Sequence, residues 1–193
     1  MKTYGQYCGL AKALDHVGDR WTLLIVRELL LGPRRYSEIR AALPGIASNL
    51  LADRLRDLVA DEVISKSEDG SYELTEFGRE LEDVIHALVR WGGRWMGERR
   101  ESESFHAEWL AVALKALLPK FSKGRVQFET AEATLSLDRG EVRIASLEAP
   151  DAVVKGSPET ILAVAAGHVP LSAVDVSGSH DVVAAIFPGR SPN

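Results

Sequence analysis

Asn49, Ala52, Asp53 and Arg56 recur at intervals of three and four residues, flanked by Ser48 and Arg54, while Leu51, Leu55 and Leu58 keep a similar spacing out of phase with them. In a helix this spacing sets the leucines on one face and the polar set on the other. An asparagine amide pairs bidentately with adenine and a guanidinium with guanine, so the polar face has the chemistry of base recognition in a DNA major groove. Upstream, Arg34, Arg35 and Arg40 are suited to the flanking phosphates. Ser37, near the start of a short helix, can offer its hydroxyl and backbone N–H to another phosphate. Lys66 and Lys2 add further cations. The alternative for the same residues is the solvated outer face of a helical hairpin, whose arginines simply stay in water.

Other reactive residues are few. Cys8 is the single cysteine, which excludes an internal disulfide and a multi-cysteine zinc site. Its thiol can sense oxidants or electrophiles if the thiolate is stabilised, and Lys12 lies one helical turn away. The alternative is a small apolar side chain packed at a dimer interface. His16, His86, His106, His168 and His180 are scattered without a H-x-x-x-H pair, so no metal site is expected. Glu80, Glu82 and Asp83 read as a charged, solvated helix face. There is no G-x-S-x-G, phosphate loop or G-x-G-x-x-G. Neither enzymatic activity nor a cofactor is expected.

The elements that position the polar face can be read along the chain. Residues 9–17 form a helix ended by Gly18, and Asp19 is placed to cap a second, from about Arg20 to Leu31, that Gly32-Pro33 stops. A short third helix carries Ile39 and Leu43, Pro44-Gly45 turns the chain, and the leucine helix runs from Ser48 to Ala60. Val63–Lys66 and Ser71–Leu74 are β-prone runs joined by the hairpin signal Asp69-Gly70. Thr75 is placed to cap a long helix toward Trp95. Trp91 and Trp95, one turn apart, are expected at a dimer seam or against a second domain.

The charged segment Gly97–Ser104 is the expected linker, giving domains over 1–100 and 105–193. Beyond it come a helix from about Phe105 to Leu118 and alternating runs at Val126 and Phe128, at Ala133, Leu135 and Leu137, and at Val142 and Ile144. Helices follow from Pro158 and over His180–Phe187. The expected class is two-domain: a mainly α winged helix-turn-helix, then an α+β domain with an antiparallel sheet buried on one face.

The 193 residues are 46% hydrophobic and 26% charged, ordinary for a soluble protein, with no apolar run long enough for a membrane span. No apolar signal-peptide core follows Met1-Lys2-Thr3-Tyr4, and a cytoplasmic location is expected. A net charge of −5 opposes DNA binding, but residues 34–56 hold five arginines against Glu38 and Asp53.

The stretch Cys8–Asp15, the run GDRWTLLIVRELLLGPRRYSEIRAALPGI, the segment LLADRLRDL and the LTEFG of Leu74–Gly78 closely resemble the HxlR family of bacterial regulators over residues 7–96. The resemblance implies a homodimeric winged-helix protein binding double-stranded DNA. Its first and last helices would make the dimer contact, the helix from Ser48 would read the major groove, and Ser67–Ser71 would form the wing. It also implies that a cysteine near Cys8 serves some members as an oxidant or electrophile sensor. Departures are alanine at 47 and 52, where hydroxyl residues are common, and Asn49 where a basic residue is common. The short wing bears Glu68 and Asp69, which phosphate repels.

Arg125–Pro188 resembles the sterol-carrier-protein-like fold, through Asp151–Leu162 and Ala166–Val174. That resemblance implies a tunnel for an apolar small-molecule effector. Trp109, Leu117, Phe121, Phe128, Leu135, Ile144, Ile161 and Phe187 are the candidate lining, or equally an ordinary core. The rival to a DNA-binding regulator is a ligand carrier whose winged helix serves protein contacts.

Overall fold

Gly18 follows the first helix, α1, which spans Gly9–Val17 in the computed structural model; the structure describes residues 3–97, 99–100, 102–119 and 123–187. After it come α2 (Thr22–Leu29), β1 (Arg34–Arg35), α3 (Tyr36–Ala42) and α4 (Ser48–Ala60). The hairpin is β2 (Ile64–Lys66) and β3 (Ser71–Leu74), followed by α5 (Glu76–Arg79) and α6 (Leu81–Gly92). Ile25 and Val26 of α2, Ile39 of α3, Leu51, Leu55 and Leu58 of α4 and Ile64 of β2 are all buried. This is a winged helix-turn-helix.

Three local details differ from the sequence reading. Asp19 does not cap α2, which begins at Thr22 with Trp21 in the N-cap position; the Asp19 carboxylate pairs with Arg54 instead. Arg34 and Arg35 form a third wing strand, paired with Tyr72 and Ser71 in the order β1-β3-β2; two residues carry no periodicity by which to be recognised. The helix expected from Thr75 breaks at Glu80 into α5 and α6 and ends in a 3-10 turn, Gly93–Trp95.

Thr75 does cap α5. Its Oγ1 accepts from the Gly78 N–H at 2.9 Å and donates to the Glu62 carbonyl at 2.7 Å, fastening the helix start to the wing. Gly78 lies so close to the Val63 carbonyl that a Cβ there would collide with backbone. At the hairpin tip Gly70, at φ +84°, closes a turn onto the Ser67 carbonyl, a conformation glycine adopts without strain.

The second half contains α7 (Ala107–Leu117), β4 (Val126–Glu129), β5 (Thr134–Asp138), β6 (Glu141–Arg143), β7 (Ala152–Lys155), α8 (Pro158–Ala165), β8 (Asp175–Gly178) and α9 (His180–Ile186). Val126 and Phe128 lie in register with Leu137 and Leu135 on one side and with Ala152 and Val154 on the other. That apolar face packs with Leu110 and Leu114 of α7, Ile161 of α8, and Val183 and Ile186 of α9. The sheet, of order β6-β5-β4-β7-β8, is mixed rather than antiparallel, because β7 runs parallel to β4. Residues 144–151 return the chain across β4, held where the Leu147 N–H donates to Gln127 Oε1 at 2.8 Å. Alternation in sequence reports which face is buried, and it reads the same for either strand direction.

The chain divides into two compact units, Met1–Ile85 and His86–Asn193, so α6 ends one and begins the other. No described helix is long and apolar enough to cross a membrane.

Gly78→Ala is expected to cost about 1–3 kcal/mol, because the helix start must shift away from backbone that cannot yield. Thermal unfolding followed by circular dichroism checks this; an unchanged midpoint would mean that the approach relaxes freely.

Candidate nucleic-acid interface

The three leucines of α4 are at most 1% exposed, and this fixes the helix roll. Ser48, Asn49, Ala52, Asp53 and Arg56 consequently face solvent, while Arg54 is half-buried on the flank. Ala47, which precedes α4, supplies no side-chain acceptor to the first-turn amides, so a phosphate can take those donors. The sequence reading missed Tyr36, whose hydroxyl donates to the Ser48 carbonyl at 2.8 Å and ties the start of α3 to the start of α4. A lone tyrosine before a short helix gives no signal of that contact.

The arginines fall into distinct roles. Arg54 reaches Asp19 at 2.9 Å and Asp57 at 2.7 Å, which ties α4 to the turn before α2. Arg56 makes an exposed pair with Asp53 at 2.9 Å, one turn earlier on the outward face. Such pairs contribute about 0.3–0.5 kcal/mol and exchange readily for another anion or a base edge. Arg34 is half-buried and Arg35 exposed in β1, and the Arg35 N–H donates to Glu38 Oε2 at 2.6 Å. Ser37 and Arg40 of α3 are exposed. Lys66, exposed at the end of β2, lies over the Tyr72 ring at 5.5 Å. Lys2 lies outside the described residues.

Within the wing, Asp69 is occupied by its own hairpin. One carboxylate oxygen accepts from the Ser71 hydroxyl at 2.7 Å and from its N–H at 3.1 Å. These bonds, the hydroxyl's first, hold its pKa below the usual carboxylate value, with Arg35 helping from 3.8 Å. Its charge is therefore partly spent on the turn, whereas Glu68 is exposed.

The sequence profile of the HxlR-like helix-turn-helix family matches residues 16–100. The HTH-type transcriptional regulator YvaP of Bacillus subtilis is 34% identical over 91 residues, which are 44% of this chain and 84% of that protein. The chain belongs to the HxlR-like helix-turn-helix family. It is accordingly a DNA-binding transcriptional regulator rather than an enzyme. The Mycobacterium bovis regulator Mb3122 is 42% identical over 93 residues, 45% of this chain and 58% of that protein, so the chain spans little more than half of that relative. Quinone-bound YodB from B. subtilis is 33% identical, covering 45% of this chain and 98% of that one, with a TM-score of 0.43. The family match ends at residue 100, ahead of the five-stranded sheet.

In this HxlR-like chain Cys8 is exposed and immediately precedes α1. The backbone N–H groups of Ala11 and then Leu10, facing the thiol from the first turn of α1, hold its pKa below the usual thiol value. The stabilising groups are thus helix N-terminal amides rather than the Lys12 side chain that the sequence suggested.

The candidate lining residues of the second unit mostly form its core. Phe128, Leu135 and Ile161 are fully buried, and Phe187 is buried with its ring 6.2 Å from that of Phe128. Trp109 is half-buried beside His106, and Ile144 lies exposed just beyond β6. Among the described members of the set, Leu117 alone borders a cavity. Phe121 lies outside the described residues.

The amides of the first turn beside Cys8 predict that iodoacetamide alkylation of the folded protein rises with pH at a lower midpoint than in the denatured chain. Coincident midpoints would show that the helix start does not stabilise the thiolate.

Proposed function

We propose that this regulator acts as a homodimer that reads a specific double-stranded sequence by placing α4 in the major groove. The observation that carries this is the outward face of α4, where Asn49 and Arg56 stand exposed opposite a fully buried leucine seam. Asn49 recognises adenine and Arg56, released from Asp53, recognises guanine. Ser48 borders the same contact, while Arg34, Arg35, Ser37, Arg40 and Lys66 hold the flanking phosphates. Arg54 acts by positioning, through its tie to Asp19.

Dimerisation is supported by apolar side chains that the single chain leaves in water. Leu10 on α1 is 69% exposed, and Leu88 and Trp91 on α6 are also exposed. Trp91 and Trp95 stack edge to face at 4.5 Å, with Arg94 against both rings. A second copy covering these surfaces removes an apolar cost that a monomer bears. Cys8, close in sequence to this α1 surface, is the proposed point of control by oxidants or electrophiles. The second unit is proposed as a sterol-carrier-like effector module, supported by its five-stranded sheet and by α8, capped by Ser157, following β7. Such a regulator works in the cytoplasm.

Binding to the chain's own upstream DNA is expected to weaken steeply with salt, by about 0.9 log units per neutralised phosphate per log unit of salt. Asn49→Ala with Arg56→Ala is expected to lose about 1–3 kcal/mol per base contact and to blur sequence preference, as read by mobility shift on matched and scrambled fragments. Retained specificity in that double variant would move the reading surface off α4, and no specific binding by the wild type would favour the carrier alternative. Separately, Leu88→Glu is expected to convert the dimer to monomer in analytical ultracentrifugation. A dimer that survives both this change and Leu10→Glu would exclude the seam.

A further inference from the structure

The second unit contains a half-open cavity of about 620 Å³ that does not lie in the sheet–helix core. It is bounded by the end of α6, by α7, by α8 and by the segment after α8, with no strand residue in its wall. The void exists because many of the side chains that meet there are small: Ala113 of α7, Ala163 of α8, Ala166 and Ala173 after it, and Gly93 and Gly97 after α6. Val89, Met96, Leu117, Leu162 and Val169 complete an apolar wall. The volume is within the roughly 300–1,000 Å³ that small-molecule sites occupy.

The polar groups on the wall decide what kind of molecule fits. Glu159 is paired with Arg99 at 3.3 Å, and the Thr160 hydroxyl is bonded to that of Ser157 at 3.0 Å. Arg90 is different. One guanidinium nitrogen donates to the Ala116 carbonyl at 3.0 Å, which holds the group at the lip between α6 and α7. Among the described residues no carboxylate pairs with it. His168 borders the same space. An apolar hollow with a fixed cation at its lip complements a molecule with an apolar body and one anionic head.

We propose that this cavity is the effector site, that it takes a small apolar carboxylic acid, fatty or aromatic, and that Arg90 holds the carboxylate. Its regulatory role rests on the reading of the chain as a DNA-binding protein; the binding site itself does not. Val89 and Arg90 belong to α6, the helix shared by the two units, so a bound acid acts on the element that ends the winged-helix unit. Differential affinity for two settings of that helix is what couples the sites.

The test titrates a dansyl-labelled medium-chain fatty acid and its methyl ester into the full chain, and measures affinity for its own upstream DNA with and without the acid. The acid is expected to bind saturably and more tightly than the ester. Arg90→Gln should weaken the acid about tenfold or more and the ester less than about twofold. Ala163→Trp should abolish binding of both, with its fold checked by circular dichroism. The acid should shift operator affinity about fivefold or more. Absence of saturable binding, or binding indifferent to both substitutions, overturns the site. Equal affinity for acid and ester overturns the ligand class. Saturable acid binding with unchanged operator affinity overturns the effector role. Specific DNA binding absent in every condition instead defeats the DNA reading, while probe binding still decides the cavity.

Discussion

Burial of Leu51, Leu55 and Leu58 sets the roll of α4, and every exposed group on that helix follows from it. Burying a leucine contributes about 1.5–3 kcal/mol, so a helix rotated by one residue would lose this seam and bury Arg56, or Arg54 and Asp57, instead. Two polar ties then fix its position. Tyr36 donates to the first carbonyl of the helix, and Arg54 reaches Asp19 ahead of α2. With roll and position set by side chains facing inward, the outward residues are under no packing demand and can be selected for what they bind.

The same division bears on how an acidic protein can present arginines at the proposed reading surface. The net charge of −5 is a sum over the chain, whereas the electrostatics of the interface depend on which charges are already spoken for. Arg54 is committed to two carboxylates and Asp69 to its own hairpin, so neither is freely available at the surface. Arg56 is held only by an exposed pair with Asp53 that water screens. At the start of α1, unpaired helix amides serve a thiol in the way that those of α4 are available to a phosphate: aligned N–H groups favour a negative charge.

The second unit applies a different rule. Its sheet buries one face under α7, α8 and α9, and most of the large side chains expected to line a ligand chamber fill that core instead. Space remains where alanines and glycines of α7, α8 and the end of α6 meet. Because α6 belongs to both units, a helix that begins in the first also forms part of the wall of that space.

Local periodicity was legible throughout. The bounds of α1 and α4, the hairpin, the Thr75 cap, and the alternation that buries Val126 and Phe128 all depend on residues within a turn or a strand of one another. The outward face of α4 could be read for the same reason. What the tertiary structure alone decided involves partners distant in sequence: Asp19 with Arg54, Tyr36 with Ser48, Arg34 with Tyr72 and the Leu147 N–H with Gln127. The first of those contacts separated a positioning arginine from an exposed one, while the parallel pairing of β4 with β7 made an expected antiparallel sheet a mixed one, and the meeting of α6, α7 and α8 left the cavity outside the core. Periodicity states which side of an element is apolar. Neither the direction of its neighbour nor the space left between small side chains exists until the elements meet.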